Sequence, residues 1–476
     1  MLQGDLSNLR RGGGASSNRG AFRGSFRGSP RGPPRGPSRG PWRGGRGRYH
    51  GRGHFGRGEE TVPTVPLGKL VTEFTVEDIT NSATSAAEAR ITNCAYAASY
   101  SLNDEKPSKV IVPGRPATWK PPPLPCQLPG DRGDYMRDQN GARFPDHPIQ
   151  PAVQALFILN KTFDPSSIDL MGCASSLGDI LRFVRSIEST FRFNVEVVGN
   201  TLFLIRNHKN DMIPDVRGYG HSFLDAFTSG DPEDGVTKSH QRVVSYNFGG
   251  LSCLVRFECD GYLSSCDGRN TVVTEAQFNL RPPQSDSIAM QKSGMVVPQD
   301  SVLEIKTKSQ AIGVIQTSDH LPRLWVRQIP HFVTAYHNQG TFQDVQVTDV
   351  REDLAEWETQ HQDELKRFAY TLRQLITEVK RSSHLKLEIY RAETGPLQLR
   401  ERNKGAGHAL PTSWRDRWAA GPEPDSARSA NGDNSDEDSE ASPSRVSSEG
   451  SDSSEDDFAF DYTACSVECG YCGHCA

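Results

Sequence analysis

The sequence predicts an α+β domain, a mixed β-sheet core flanked by helices, held between two tails that do not fold by themselves. Three observations predict it. Short apolar runs alternate with polar residues and are separated by Gly199-Asn200 and Gly249-Gly250, a pattern of strands and hairpins. The stretch 351–380 carries Leu354, Trp357, Leu365, Phe368, Leu372, Leu375, Ile376 and Val379 at helical spacing. Charge is segregated: the 476 residues have a formal net charge of −5, but residues 1–58 hold thirteen arginines against one acid, and residues 421–461 hold thirteen acids against two arginines. Both ends are poor in aliphatic residues and cannot bury enough surface to fold.

These shifts divide the chain into an arginine-glycine arm over 1–60, a mixed and proline-rich lead-in over 61–150, a folded domain over 151–395, an acidic serine-rich tail over 396–461 and a cysteine-rich end over 462–476. In the lead-in, 67–79 suits a strand and a turn, 91–100 a short strand, and 113–129 an extended, exposed segment around Pro121-Pro122-Pro123. The domain then reads as an apolar run at 152–159, a helix over 177–191 and a hairpin over 193–206. A second hairpin follows over 242–262, then a strand at 302–307 and, over 324–336, a strand or strand-helix junction interrupted by Pro330. A strand at 342–347, the helix 351–380 and a last strand at 385–390 complete it.

In the arm, Arg19, Arg23, Arg27, Arg31, Arg35, Arg39 and Arg43 fall on a four-residue period among eleven Arg-Gly pairs, with Phe22, Phe26, Trp42, Tyr49 and Phe55 interleaved. Arginine neutralises phosphate and stacks on bases, aromatics add stacking platforms, and glycine keeps the backbone mobile. RNA is the expected partner. The bland alternative is a solubilising arm without a particular ligand.

Two stretches place charge inside apolar runs. Leu254–Tyr262 carries Glu258 and Asp260, and Val302–Lys308 carries Glu304 and Lys306. Residues two apart on a strand share a face. Three carboxylates and a lysine among Leu, Val, Phe and Ile need a partner, because an unpaired buried charge is costly. A divalent metal between the carboxylates meets that need, and so does a cross-strand ion-pair ladder. In the first case Mg²⁺ or Mn²⁺ takes oxygen ligands, activates water and offsets charge on a phosphate, and the lysine orients that water.

An E-x-D strand followed by an E-x-K strand resembles the metal-dependent nuclease core of the PD-(D/E)XK type. The order of motifs resembles more closely the decapping and exonuclease (DXO-type) family: a glycine-aromatic-acid segment, here Arg217-Gly218-Tyr219 through Asp225, then Glu258-Cys259-Asp260, Glu304-Ile305-Lys306, and a Trp/Gln-containing segment over 324–336. The resemblance covers roughly 150–390. It implies Glu258, Asp260, Glu304 and Asp225 as metal ligands, with Lys306, Glu304 and Asp260 catalytic. It gives Gln328 a contact to the RNA backbone or the water, and Arg242 a phosphate contact. Where the family places a glutamate soon after the glycine-aromatic pair, only Asp225 can serve here, in an altered register and with a shorter reach. The function so implied is a metal-dependent RNA 5′-end hydrolase of decapping, pyrophosphohydrolase or exonuclease type. The alternative is a non-catalytic RNA-binding protein on a degenerate nuclease fold.

Ser435, Ser439, Ser451 and Ser454 precede acids and suit acid-directed kinases. Cys465, Cys469, Cys472 and Cys475 are candidate Zn²⁺ ligands, although their spacing is shorter than that of zinc ribbons. An isoprenoid synthase needs two aspartate-rich helical motifs, and the body has none. With no apolar leader, no membrane-length apolar run and scattered single cysteines, the chain is expected to be intracellular, nuclear or cytoplasmic, with the nucleus favoured.

Overall fold

The computed structural model describes residues 65–421, apart from the short segments 84–87, 104–108, 137, 207–211, 214–215, 231–236, 265–268 and 274–285. The arginine-glycine arm, the acidic tail and the C-terminal cysteines lie outside the described residues.

Two β-sheets dominate. The larger has eleven strands in the spatial order Leu70–Phe74, Leu397–Glu401, Lys386–Arg391, Phe191–Val198, Thr201–Ile205, Leu170–Cys173, Leu251–Glu258, Thr237–Phe248, Ile91–Asn103, Val110–Gly114 and Met290–Gly294. It is mixed: Leu251–Glu258 runs parallel to Leu170–Cys173 and antiparallel to Thr237–Phe248. The smaller sheet has seven strands, centred on Gly261–Tyr262, Val302–Ser309, His331–Asn338 and Thr341–Asp349. The two hairpins expected at Gly199-Asn200 and Gly249-Gly250 are present, with Gly199 at φ +58° and Gly249 at +57°, conformations that favour a residue without Cβ.

The domain is larger than the sequence pattern suggests at both ends. The lead-in is not separate, because Leu70–Phe74 and Ile91–Asn103 are strands of the large sheet, the latter spanning the whole of Thr237–Phe248. The fold does not end at 395 either. Leu397–Glu401 pairs between Lys386–Arg391 and Leu70–Phe74. The Thr412–Ala420 helix then buries Trp414 and Trp418 against Phe157, Phe163 and Phe203. Polar composition hid these pieces, because an edge strand and a short helix each bury only one or two large side chains.

The long helical stretch is two helices, Arg351–Gln360 and Gln362–Arg381, parted at His361. Its apolar stripe packs Leu365, Phe368, Leu372 and Leu375 into the main core with Trp325, Phe332 and the strands of the large sheet. The segment 324–336, expected as a strand or a strand-helix junction, is a junction with the helix first: Thr317–Arg327 is a helix, Gln328 ends it in the left-handed region at φ +53°, and the strand begins at His331. Cys94, Cys126, Cys173, Cys253 and Cys259 are free thiols. Among the described residues no helix is long and apolar enough to cross a membrane.

A buried acid on the Ala174–Val184 helix gives a direct test of this packing. Burial pushes the Asp179 carboxyl up to about 6, although Arg206 and Arg182 pull it down, and its Oδ2 lies 3.8 Å from Arg206 without a hydrogen bond. An acid raised on folding favours the folded state only while protonated. Its penalty is absent below the ordinary aspartate value and complete above about 6. Asp179→Asn is therefore expected to stabilise the domain at pH 7.5 relative to its effect at pH 4, by roughly 2–3 kcal/mol. Denaturant unfolding at the two pH values checks this, and equal effects at both would refute it.

Candidate functional site

The charged residues singled out in the two strands meet where the sheets join. The chain leaves the large sheet at Glu258, turns through Cys259 and Asp260, and enters the small sheet at Gly261–Tyr262, which pairs with Val302-Leu303. Asp260 therefore lies in the crossover and does not continue the Glu258 strand. Its Oδ2 accepts a 2.8 Å hydrogen bond from the Ile305 amide, which holds it beside Glu304. Glu304 and Lys306 alternate correctly on Val302–Ser309 and share a face. The E-x-D and E-x-K elements are thus brought together by the structure.

Glu304 is the hub. It is 1% exposed, yet three cations converge on it. Arg327 Nη1 donates to Oε2 at 2.7 Å, Arg323 Nε lies 2.8 Å from Oε1, and Lys306 Nζ lies 3.4 Å from Oε1. Burial alone would raise the Glu304 carboxyl, but Arg323, Arg327 and Lys306 hold it well below the usual carboxylate range. Its two neighbours behave oppositely. Burial and the charge of Glu304 raise Asp260. Burial and Asp260 push Glu258 up to about 7. Glu258 is nevertheless exposed to solvent at the end of its strand, the open side of the cluster.

Arg323 and Arg327 did not stand out in the sequence. They are four apart on the Thr317–Arg327 helix and therefore share one face. The opposite side of that helix is anchored by Leu324 and Trp325, whose Nε1 donates to Glu358 Oε1 at 3.0 Å. The signal was available in the i, i+4 arginine pair, but it has meaning only once the segment is known to be helical.

The other candidates lie elsewhere. Gln328 Nε2 donates to the Trp325 carbonyl at 2.7 Å and closes the helix end. Arg242 is wholly buried, donates to Gln299 Oε1 and the Val297 carbonyl, and stacks over Tyr96, so it is a packing residue and not a phosphate contact. Asp225 is exposed on the Gly220–Phe227 helix, within electrostatic reach of Tyr135. The glycine-aromatic segment before it has a structural role. Gly218 sits at φ +125°, its carbonyl accepts from the Asp131 amide, and Tyr219 packs against His337. Asp131 in turn caps the helix through the His221 and Ser222 amides.

Among the described residues no three His, Cys, Asp or Glu side chains form a group that could hold a metal ion. The ligand set Glu258, Asp260, Glu304 and Asp225 is therefore not assembled as a metal site. Asp225 stands on another element, and Glu304 is already neutralised by arginine. As they stand, the residues do not fit the expected Mg²⁺ or Mn²⁺.

Fold and site together define a two-sheet α+β domain with a carboxylate–lysine cluster at the sheet junction. The chain belongs to the family described as a domain of unknown function (DUF8563), whose family model matches residues 69–398. Among curated proteins none matches the chain in sequence. It is similar to the solved structure of Scheffersomyces stipitis Rai1 in complex with (3'-NADP)+ and calcium ion, at 11% identity and a TM-score of 0.48, covering 75% of this chain and 100% of that one. Candida albicans Rai1 in complex with pU5-Mn2+ gives 11% identity and a TM-score of 0.46, covering 73% and 98%. K. lactis Dxo1 in complex with manganese gives 9% and 0.39, covering 72% and 98%.

Proposed function

We propose that the chain is an RNA-binding protein built on a nuclease-type fold, whose site at the sheet junction receives the phosphorylated 5′ end of RNA without hydrolysing it. The observation that carries this reading is the Glu304 cluster. It sets the E-x-D and E-x-K residues side by side where the two sheets join and fills the place around Glu304 with guanidinium groups. Lys306, partly exposed at the rim, supplies the charge nearest an incoming phosphate. The arginine-glycine arm supplies salt-dependent affinity for the rest of the strand.

Hydrolysis is the second reading. The observation in its favour is that Glu304 Oε1 is buried without an aligned hydrogen bond and lies in one cluster with the raised Asp260, which Glu258 adjoins. That arrangement of acids would gain from a divalent cation.

One experiment on the full chain separates the two. Binding is measured for RNA of one sequence carrying either a 5′-monophosphate or a 5′-hydroxyl, so that the contribution of the arm cancels. Wild type is expected to prefer the phosphorylated end, and Lys306→Ala to reduce that preference about ten-fold, the worth of one charge-assisted hydrogen bond. Equal affinity for both ends sinks the phosphate reading. Metal-dependent turnover of the RNA by wild type, lost in Lys306→Ala, replaces it with the hydrolase.

A further inference from the structure

We infer that Arg323 and Arg327 take the place of a divalent metal ion in this site, so that it is charge-balanced with no metal bound. For its ligand the inference rests on the phosphate-binding reading above; for the metal it rests on geometry alone. Glu258, Asp260, Glu304 and Lys306 together carry two net negative charges when ionised. The two guanidinium groups contribute two positive charges, which is what one divalent ion would bring. A phosphate entering the site meets the same balance that a metal-loaded carboxylate site would present.

The arginines are built into the site. They sit one turn apart on a helix fixed by the buried Leu324 and Trp325 and closed by the Gln328 cap, so both project to the same carboxylate. The Arg327 side chain is 9% exposed and hydrogen-bonded to Oε2, and the Arg323 side chain is 20% exposed and lies on Oε1. A metal ion binding to Glu304 would have to separate at least one of these pairs. That would leave a guanidinium buried, stripped of its counter-charge and next to a second cation, a strongly unfavourable state. A mobile surface arginine would swing away into water. Arg327, with its side chain 9% exposed and hydrogen-bonded to Oε2, is the more firmly held of the two.

The test has two arms on the full chain. In the first, free Mn²⁺ is followed by its electron paramagnetic resonance signal during titration of wild type and of the Arg323→Gln, Arg327→Gln double variant. The acidic tail is common to both and cancels in the comparison. The double variant is expected to take up one additional Mn²⁺ at least about ten-fold more tightly than wild type. Equal uptake, or none added by a folded double variant, overturns the inference. Should the double variant fail to fold, Asp260→Asn decides. It is expected to leave Mn²⁺ uptake of wild type unchanged, and a loss of one bound ion would show that wild type holds metal there. In the second arm, the preference of wild type for 5′-phosphorylated RNA is expected to be unchanged by a chelator, and its disappearance would also overturn the inference. If wild type shows no such preference with or without metal, the phosphate reading fails, while the Mn²⁺ comparison still decides the role of the arginines.

Discussion

Glu304→Gln is expected to destabilise the domain by about 3–5 kcal/mol in the presence of a chelator, the usual cost of removing one partner from a buried ion cluster. The sign is the informative part. In a site of bare metal-binding carboxylates, neutralising one acid relieves repulsion and stabilises the metal-free protein. Here Glu304 is in ion-pair contact with three cations, of which Arg327 is nearly buried. Its removal leaves Arg323, Arg327 and Lys306 facing one another. The pH dependence follows the same logic. Glu304 is held below its ordinary value, so its stabilising contribution is present above that value and is lost as the pH falls. Wild type should therefore lose stability on acidification faster than Glu304→Gln. Denaturant unfolding of both proteins measures this, and a Glu304→Gln protein as stable as wild type at neutral pH would refute the ion-cluster description.

Trp418→Ala is expected to cost about 3–5 kcal/mol, the range for deleting a buried large aromatic. Trp418 is 1% exposed, its ring centroid lies 5.1 Å from that of Phe203 and 5.5 Å from that of Phe163, and its Nε1 donates to Thr201 Oγ1 at 2.9 Å. The substitution opens a cavity and leaves that hydroxyl without its donor. The consequence for the domain boundary is sharper still. A chain ending at 395 lacks both the Thr412–Ala420 helix and the Leu397–Glu401 strand, which carries Leu70–Phe74 at the sheet edge. Such a chain should not unfold cooperatively, whereas one ending at 421 should. A cooperative transition in the shorter chain, at the wild-type midpoint, would restore the boundary at 395.

The sequence by itself determined the α+β class, the two glycine hairpins and the pairing of an E-x-D with an E-x-K segment. All three depend on local rules: the two-residue period of a strand, the left-handed tolerance of glycine and the cost of charge in an apolar run. Only the tertiary structure decided what the charges do. Whether Leu324–Tyr336 was strand or helix could not be settled by periodicity, because a short apolar run suits either. That single choice hides Arg323 and Arg327, whose spacing aims them at Glu304 only on a helix. Gln328 and Arg242 looked like ligand contacts because both are polar residues in the right order along the chain. They proved to be a helix cap and a buried packing group, since order along the chain does not fix which way a side chain faces. The extent of the fold at both ends was likewise invisible, because Leu70–Phe74 and Thr412–Ala420 are stable only against partners more than two hundred residues away in sequence.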